Sequence, residues 1–308
     1  MNIVITGALG HIGSALMQNL SKIKKLKKIY LIDNGLRNNL NVLFNYKSKK
    51  NIKFIFEDLK SKKSIKSIKD KIDVVIHLAS ITNAENSFNI KKELYENNLG
   101  IFKNVVNFCI KKKSKLIHIS STSVYGVQLD LVDEECKNLL PQSPYADVKL
   151  LEEKFLLKNK NKIKFISLRF GTVAGVSKGM RFHTAVNKFC FNAAINIDIP
   201  VWNNAIDQYR PYLALSDAIK TIIFFINKDI FNNQIYNVLT KNFTVRQILN
   251  TIKKNKYNLK IKKTNSQILN QNSYKVSKRK IDKLGLKLKN NINSDIKQTL
   301  KLFENLNK

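Results

Sequence analysis

A tyrosine and a lysine one helical turn apart are the pair in this sequence best suited to proton transfer. Tyr145 and Lys149 follow Pro144 and lie on one face of a helix predicted to begin near that proline. A phenol, with a reference pKa of about 10, takes a proton at neutral pH when a neighbouring positive charge stabilises its phenolate. The spacing alone is weak support, because it recurs at 46–50 and 274–278 in this lysine-rich chain.

Hydroxyl groups precede this pair in the chain. The strand-like run from Leu116 to Ile119 continues directly into Ser120-Ser121-Thr122-Ser123, so hydroxyls are expected at the carboxyl end of a strand, where open α/β sheets bind ligands. Taken alone, this run is ordinary turn and cap chemistry. Together with the Tyr/Lys pair, Ser121 is predicted to hold a substrate hydroxyl and to complete a triad for hydride transfer.

A glycine-rich loop near the N-terminus predicts a dinucleotide site. Gly7, Gly10 and Gly13 follow the first apolar run and open a helix-favouring segment, so backbone N–H groups can approach a pyrophosphate. Asp33 ends the second apolar run, where a carboxylate accepts hydrogen bonds from ribose hydroxyls and repels a 2′-phosphate. Alone, Asp33 is explained equally well as a turn residue. Loop and carboxylate together favour NAD over NADP, although Arg37 lies nearby in the sequence.

These groups lie at the ends of apolar runs that alternate with longer amphipathic segments. The runs are Ile3 to Ile5, Ile29 to Ile32, Ile52 to Phe56, Val74 to Ile76, Leu116 to Ile119 and Phe165 to Leu168. Continuous apolar strands are covered on both faces. The predicted fold class is therefore α/β, a doubly wound parallel sheet of the Rossmann type with a smaller, partly interleaved C-terminal substrate-binding domain.

The regular alternation of apolar runs and amphipathic segments ends at about residue 168. Short predicted strands at 197–202, 212–215 and 235–239 mix with helices predicted over 217–226 and 245–254. Residues 1–172 are predicted to form the NAD-binding domain, with contributions from about 212–240. Residues 173–308 are predicted to form mainly the substrate-binding domain.

The composition limits the class of protein. Hydrophobic residues make up 44% of the 308 residues, enough for a sizeable core, and no run approaches the roughly 18 apolar residues of a membrane-spanning helix. The N-terminus lacks the features of a signal peptide, so a cytoplasmic protein without a membrane partner is expected. Cys109, Cys136 and Cys190 are odd in number and far apart. This disfavours a disulfide framework or a Cys-x-x-Cys metal site, and no metal site is predicted.

The net charge of +33 supports an alternative from another functional class. It comes from 55 Lys plus Arg against 22 Asp plus Glu and would ordinarily suggest a nucleic-acid partner. Few of the basic residues are Arg, which phosphate and base recognition favour, and the lysines fall on predicted helix ends throughout the chain. A solvated surface is the preferred interpretation, and an RNA-binding protein on the same fold is the alternative.

The ordered motifs resemble the extended short-chain dehydrogenase/reductases, in their nucleotide-sugar epimerase/dehydratase group. The resemblance covers nearly the whole chain and rests on Thr6 to Gly13, Asp33-Asn34, Asp58-Leu59, His77 to Ala79, Asn97 to Gly100, Ser120 to Gly126 and Ser143 to Lys149. It implies a nucleotide-sugar substrate, NAD as cofactor, catalysis by Ser121, Tyr145 and Lys149, and a homodimer through helices around 90–112 and 144–157. The cofactor-binding residues that it implies are Gly7, Gly10, His11, Ile12, Gly13, Asp33, Asn34, Asp58, Leu59, Leu78, Ala79, Ser80 and Asn97, with Tyr145 and Lys149.

The resemblance also implies a reaction. Tyr145 would deprotonate a sugar 4-hydroxyl while a hydride passes from carbon 4 to NAD, which leaves a 4-keto intermediate. Epimerases return the hydride to the other face, whereas 4,6-dehydratases of the group use an Asp-Glu pair just after the catalytic hydroxyl. This chain has Thr122-Ser123 there, so an epimerase or oxidoreductase is preferred, and a dehydratase or reductase of the same family is the alternative.

Five residues are predicted to contact the substrate: Thr82, Ser123, Thr172, Arg181 and Arg210. The arginines are chosen because a guanidinium fork grips phosphate better than an ammonium, and the stretch around Arg210 is similar to one that pairs with a nucleotide diphosphate in the family. Three positions depart from the epimerase pattern. Thr172 replaces an Asn, Thr82 or Asn83 replaces a Lys, and residues 270–274 lack a second Arg. A changed sugar or nucleotide is therefore expected.

Overall fold

The chain folds around a parallel sheet with helices on both faces. The computed structural model describes residues 1–44, 51–61, 65–203, 205–255, 258–264, 274–289, 292–304 and 306. Its strands are β1 (Asn2–Thr6), β2 (Lys28–Asp33), β3 (Ile52–Phe56), β4 (Val74–His77), β5 (Lys115–Ser121), β6 (Leu131–Val132), β7 (Phe165–Phe170), β8 (Thr172–Ala174), β9 (Ile199–Trp202), β10 (Tyr209–Ala214), β11 (Gln234–Val238), β12 (Lys241–Thr244), β13 (Ile261–Thr264) and β14 (Lys275–Val276). Its helices are α1 (His11–Gln18), α2 (Lys91–Lys112), α3 (Pro144–Lys158), α4 (Ala185–Ala194), α5 (Leu215–Lys228), α6 (Val245–Lys254), α7 (Arg279–Asp282) and α8 (Ile292–Leu302).

Seven strands form the main sheet, in the order β11, β7, β5, β4, β1, β2, β3. All of its pairs are parallel. All six predicted apolar runs are strands of this sheet, so the predicted doubly wound Rossmann-type fold is confirmed. The strand order reverses between β1 and β4, and in open α/β sheets the crevice at the carboxyl ends beside such a reversal binds the ligand.

Strand β1 shows why the apolar runs are continuous. Ile3 and Ile5 pack with α1 and α5 on one face of the sheet, whereas Val4 packs with α2 on the other. Both faces are therefore apolar, as expected for a sheet covered by helices on each side. Full burial of such a side chain contributes about 1.5–3 kcal/mol, so the strand ends sit on a rigid frame.

The later part of the chain adds a second layer. Strands β12, β10 and β8 form a three-stranded sheet, and α4, α6 and α8 pack together with β9 in a separate apolar cluster. Strand β11 returns to the main sheet beside β7. The segments predicted as later strands and helices correspond to β9, β10, β11, α5 and α6. The division into domains at residue 172 stays a prediction.

The described ranges hold neither a candidate membrane span nor a candidate metal site. No helix within them is long and apolar enough to cross a membrane. In the same ranges, no three His, Cys, Asp or Glu side chains are grouped as ligands for a metal ion.

Candidate active site

Helix α3 carries the Tyr/Lys pair. The hydroxyl of Ser143 caps the helix by accepting a hydrogen bond from the backbone N–H of Ala146 at 3.2 Å, and Pro144 occupies its first turn. The Lys149 side chain is buried, and its Nζ lies 6.0 Å from the centre of the Tyr145 ring. The predicted helix start and the shared face are therefore present.

Ser121 ends β5 and lies at the same cavity as the Tyr/Lys pair. Its Oγ accepts hydrogen bonds from the backbone N–H of Ser123 at 3.2 Å and from the Ser123 hydroxyl at 2.8 Å. The next hydroxyl, Thr122 Oγ1, donates instead to the carbonyl of Phe170 at 3.3 Å and lies 3.5 Å from Tyr274 Oη. The structure therefore brings Ser121, Tyr145 and Lys149 together around one space.

The space is a cavity of about 930 Å³ at the carboxyl ends of the main-sheet strands, within the range of about 300–1,000 Å³ common for ligand sites. The predicted site residues that line it are Gly7, Gly10, His11, Ile12, Gly13, Asp33, Asn34, Leu59, Leu78, Ala79, Ser80, Thr82, Asn97, Ser121, Ser123, Tyr145, Lys149, Thr172, Arg181 and Arg210.

Asp58 is the predicted residue that does not line this cavity. Its neighbours Glu57 and Leu59 do, while its own Oδ1 accepts a hydrogen bond from the backbone N–H of Lys60 at 2.9 Å in the turn after β3. In this structure the Asp58 carboxylate stabilises the turn after β3. A cofactor-binding role for Asp58 stays a prediction.

The glycine loop has no space for side chains. Gly7 has a φ of +66°, and a Cβ there would lie 2.7 Å from the backbone nitrogen of Ala79. A Cβ on Gly13 would lie 2.4 Å from the carbonyl oxygen of Gly7. The hydroxyl of Thr6 accepts hydrogen bonds from the backbone N–H groups of Leu78 and Ala79 at 3.1 and 3.2 Å, which holds β1 and β4 together. Bare backbone at the start of α1 therefore faces the cavity, as an anion site requires.

Asp33 closes the far side of this loop. Its Oδ2 accepts a hydrogen bond from the backbone N–H of Leu9 at 3.0 Å, and its Oδ1 accepts one from Gly35 at 2.9 Å. Each carboxylate oxygen has two lone pairs, so one on each remains for a ribose hydroxyl. The Asp33 carboxylate therefore stabilises the adjacent backbone turns and can still accept hydrogen bonds from a ligand.

Two positively charged positions border the cavity. Arg181 donates to the hydroxyl of Thr82, and Arg37 donates to the same oxygen at 3.4 Å. Burial and the charge of Arg37 lower the pKa of Arg181 to about 10. The guanidinium of Arg210 lies 5.2 Å from the ring centre of Tyr274, and burial lowers its pKa. Both positions favour an anion, which would offset the cost of burying these charges.

Arg181 follows a segment that packs on the glycine loop, while its own side chain donates to Thr82. The segment before it docks on the loop: Ser177 donates to the carbonyl of His11 at 2.9 Å, and Gly179 donates its N–H to the hydroxyl of Ser14 at 2.9 Å. A Cβ on Gly179 would lie 2.3 Å from the carbonyl oxygen of Leu9. Contact of Arg181 with the substrate stays a prediction.

Two adjacent glutamates beside the triad were missed in the sequence. Glu152 Oε2 accepts a hydrogen bond from Lys149 Nζ at 2.8 Å and lies 2.9 Å from His118 Nε2. Glu153 accepts two hydrogen bonds from Arg169, at 2.9 and 2.7 Å. The three-residue spacing from Lys149 to Glu152 is a signal for an ion pair on one helix face. The spacing does not indicate that this ion pair is buried, because burial depends on how α3 packs against β5.

Comparisons with known proteins agree with this geometry. The model of the NAD dependent epimerase/dehydratase family matches residues 3–238. The chain belongs to this family. The predictions of the family, of an enzyme and of NAD as its cofactor are therefore confirmed.

Relatives of this epimerase/dehydratase are similar over most of their length. The chain is 29% identical over 257 residues to an ADP-L-glycero-D-manno-heptose-6-epimerase of Fusobacterium nucleatum, covering 77% of this chain and 74% of the relative. It is 29% identical over 238 residues to an uncharacterized UDP-glucose epimerase of Bacillus subtilis, covering 74% and 73%. Among solved structures, a UDP-glucuronic acid 4-epimerase from Bacillus cereus, crystallised with UDP-glucuronic acid and NAD, superimposes with a TM-score of 0.86 at 22% identity over 99% and 100% of the two chains. That likeness shows the shared fold.

The cavity of this family member fits NAD. Within the described residues, six buried polar atoms on its lining side chains have no hydrogen-bond partner: His11 Nδ1, His77 Nε2, Arg181 Nε, His183 Nε2, Thr184 Oγ1 and Thr264 Oγ1. Burial lowers the pKa of His11 to about 4 and that of His183 to about 3, so both imidazoles are neutral at pH 7. Unpaired buried polar atoms favour a polar ligand that supplies their hydrogen bonds, and the glycine loop leaves room for a pyrophosphate.

Proposed function

We propose that this enzyme epimerises a nucleoside-diphosphate sugar at carbon 4 through a keto intermediate. The observation that carries the proposal is the convergence of Ser121, Tyr145 and Lys149 on one cavity beside a bare glycine loop. When bound, NAD supplies the acceptor and donor of the hydride.

The residues of the chain handle the proton and the orientation. Ser121 holds the reacting hydroxyl of the substrate. Both hydrogen bonds with Ser123 are donated by Ser123, so the O–H of Ser121 can donate to the substrate. Tyr145 takes the proton of that hydroxyl and later returns it. The Lys149 ammonium favours the phenolate by its positive charge.

A nucleoside-diphosphate sugar is supported by the two cationic positions. A guanidinium pairs well with a diphosphate. Arg210 stacks near Tyr274, whereas Arg181 and Arg37 share the Thr82 hydroxyl. We assign Arg210 to the diphosphate of the sugar nucleotide. The names of the two sequence relatives, an ADP-heptose epimerase and a UDP-glucose epimerase, support the same substrate class.

Epimerisation is favoured over dehydration by the residues after Ser121. Thr122 Oγ1 and Ser123 Oγ are engaged with Phe170 and Ser121, and neither hydroxyl is an acid or base at neutral pH. Elimination of water needs an acid and a base at that place, whereas epimerisation needs only the Tyr145 proton shuttle.

The test combines binding, turnover and one conservative variant. Purified protein incubated with a panel of UDP-, ADP- and dTDP-sugars is assayed for product stereochemistry and for NADH absorbance. We expect inversion at carbon 4 with one sugar nucleotide, and no turnover by a folded Tyr145→Phe variant. Full activity of that variant, or absence of NAD binding by the wild type, would refute the proposal.

Three finer predictions accompany this function. A homodimer through α2 and α3, as the resemblance implies, stays a prediction that light scattering tests. A cytoplasmic location is supported by the family and tested by fractionation. The preference against a nucleic-acid partner is tested by RNA binding at physiological salt.

A further inference from the structure

The ammonium of Lys149 is buried and needs a counter-charge. The residue is 3% exposed, and an isolated buried ammonium is costly enough that it would lose its proton. Among the described residues, Glu152 is its hydrogen-bonded anion, at 2.8 Å. This contact uses one of the three N–H bonds of the ammonium and leaves two for other groups.

Glu152 is itself held from the strand below. His118 of β5 lies with Nε2 2.9 Å from Glu152 Oε2 and with Nδ1 2.9 Å from the Ser167 hydroxyl of β7. Burial lowers the pKa of His118 despite the nearby carboxylate, so the imidazole is neutral. The hydrogen-bond pattern assigns its proton to Nε2, which donates to Glu152, while Nδ1 accepts from Ser167. The carboxylate therefore has donors from helix and sheet on the same oxygen.

The adjacent carboxylate cannot replace Glu152. Glu153 is committed to Arg169 by two hydrogen bonds and accepts a third from Ser120 at 2.6 Å. The titratable and charged groups around Lys149 on the packed elements are Tyr145, Glu152 and Glu153 of α3, His77 of β4, His118 of β5 and Arg169 of β7.

We propose that Glu152 is a positioning residue that fixes the Lys149 ammonium beside Tyr145 and keeps it charged while buried. The inference rests on the proposed function, since it gives Lys149 the role assigned there. Glu152 does not itself line the cavity, whereas its partner Lys149 does. It acts through Lys149.

The direction of the effect follows from the balance of charges. Burial alone would lower the pKa of Lys149. The charge and hydrogen bond of Glu152, with smaller contributions from Tyr145 and Glu153, together outweigh burial and raise this pKa. Burial alone would raise the pKa of Glu152, and Lys149 with His118 lowers it to about 2. Glu152→Gln removes the negative charge with little change of volume, so Lys149 keeps the cost of burial without the compensating ion pair. Its proton is then lost at lower pH.

The first readout is independent of activity. Apo protein is labelled with trace acetic anhydride across a pH series, and peptide mass spectrometry gives the rate at each lysine, since only the neutral amine reacts. In Glu152→Gln we expect the midpoint for Lys149 to fall by at least about one pH unit, a tenfold change in proton affinity, while surface lysines keep their midpoints. An unchanged midpoint would overturn the inference.

The matched control is Glu153→Gln, the same change on the neighbouring residue of the same helix. It leaves Arg169 unpaired, so it should lower stability while the Lys149 midpoint moves far less than in Glu152→Gln. Equal shifts in the two variants would show a general loss of packing and refute a specific role for Glu152. If Glu152→Gln does not fold, Glu152→Asp, which retains the charge at longer reach, should give a smaller shift in the same direction.

The second readout separates this inference from the proposed function. The alkaline limb of kcat/KM should move to lower pH in Glu152→Gln, by the amount seen in labelling. A wild type that epimerises, with an inactive Tyr145→Phe and an unshifted Glu152→Gln, would refute only the role of Glu152. An active Tyr145→Phe would instead refute the proposed function, and the labelling result would still stand on its own.

Discussion

Two glycine-to-alanine substitutions test the cofactor loop against an internal reference. Gly13 lies in α1 and Gly100 in α2, so each alanine should gain about 1 kcal/mol of intrinsic helix propensity. A Cβ at Gly100 meets no atom within 4 Å, whereas a Cβ at Gly13 would lie 2.4 Å from the Gly7 carbonyl oxygen and 2.6 Å from that of Ala8. Both obstacles are backbone. The loop must therefore move by several tenths of an ångström in Gly13→Ala, and overpacking of this kind costs about 1–3 kcal/mol.

The two variants should differ in both stability and NAD affinity. Gly100→Ala should raise the free energy of unfolding by about 0.5–1 kcal/mol and leave NAD affinity unchanged. Gly13→Ala should not gain stability and should bind NAD at least tenfold more weakly, because losing one charge-assisted hydrogen bond of about 1.5–3 kcal/mol is sufficient for that. Urea unfolding and calorimetric titration with NAD measure the two quantities. If Gly13→Ala gained the stability of Gly100→Ala and kept wild-type NAD affinity, the assignment of the loop to the pyrophosphate would be wrong.

Three further substitutions address the charged groups. Burial and the charge of Asp217 raise the pKa of Asp295 from 3.8 to about 7. The folded state therefore binds this proton more tightly than the unfolded chain does, and the protein loses stability as the pH rises between these two values. In thermal unfolding, Asp295→Asn should stabilise the protein by about 2–4 kcal/mol above about pH 8 and by little near pH 4. Arg181→Gln should weaken NAD binding more than UDP binding in calorimetry, because the charge of Arg181 acts on His11 of the glycine loop. A larger loss of UDP binding would instead assign Arg181 to the substrate. Arg210→Gln should raise KM for the sugar nucleotide about tenfold with kcat little changed, the pattern of lost ground-state binding, and an unchanged KM would remove Arg210 from the substrate site.

Local patterns in the sequence were enough to predict the parallel sheet and the ends of its strands. Apolar runs without polar alternation require a sheet covered on both faces, and Ile3, Val4 and Ile5 show this by packing to opposite sides. Tyr145 and Lys149 share a face because four residues span about one helical turn. These features depend on neighbours within one turn or one strand, so local chemistry is enough to predict them.

The hydrogen-bond partners of the site residues, in contrast, depend on tertiary packing. Glu152 and Glu153 are adjacent and chemically identical, yet the packing of α3 on the sheet gives one to Lys149 and His118 and the other to Arg169. Ser177 packs on the glycine loop although it follows His11 by 166 residues. These contacts join elements that are distant in sequence, and their geometry depends on how whole layers pack, which no local spacing encodes.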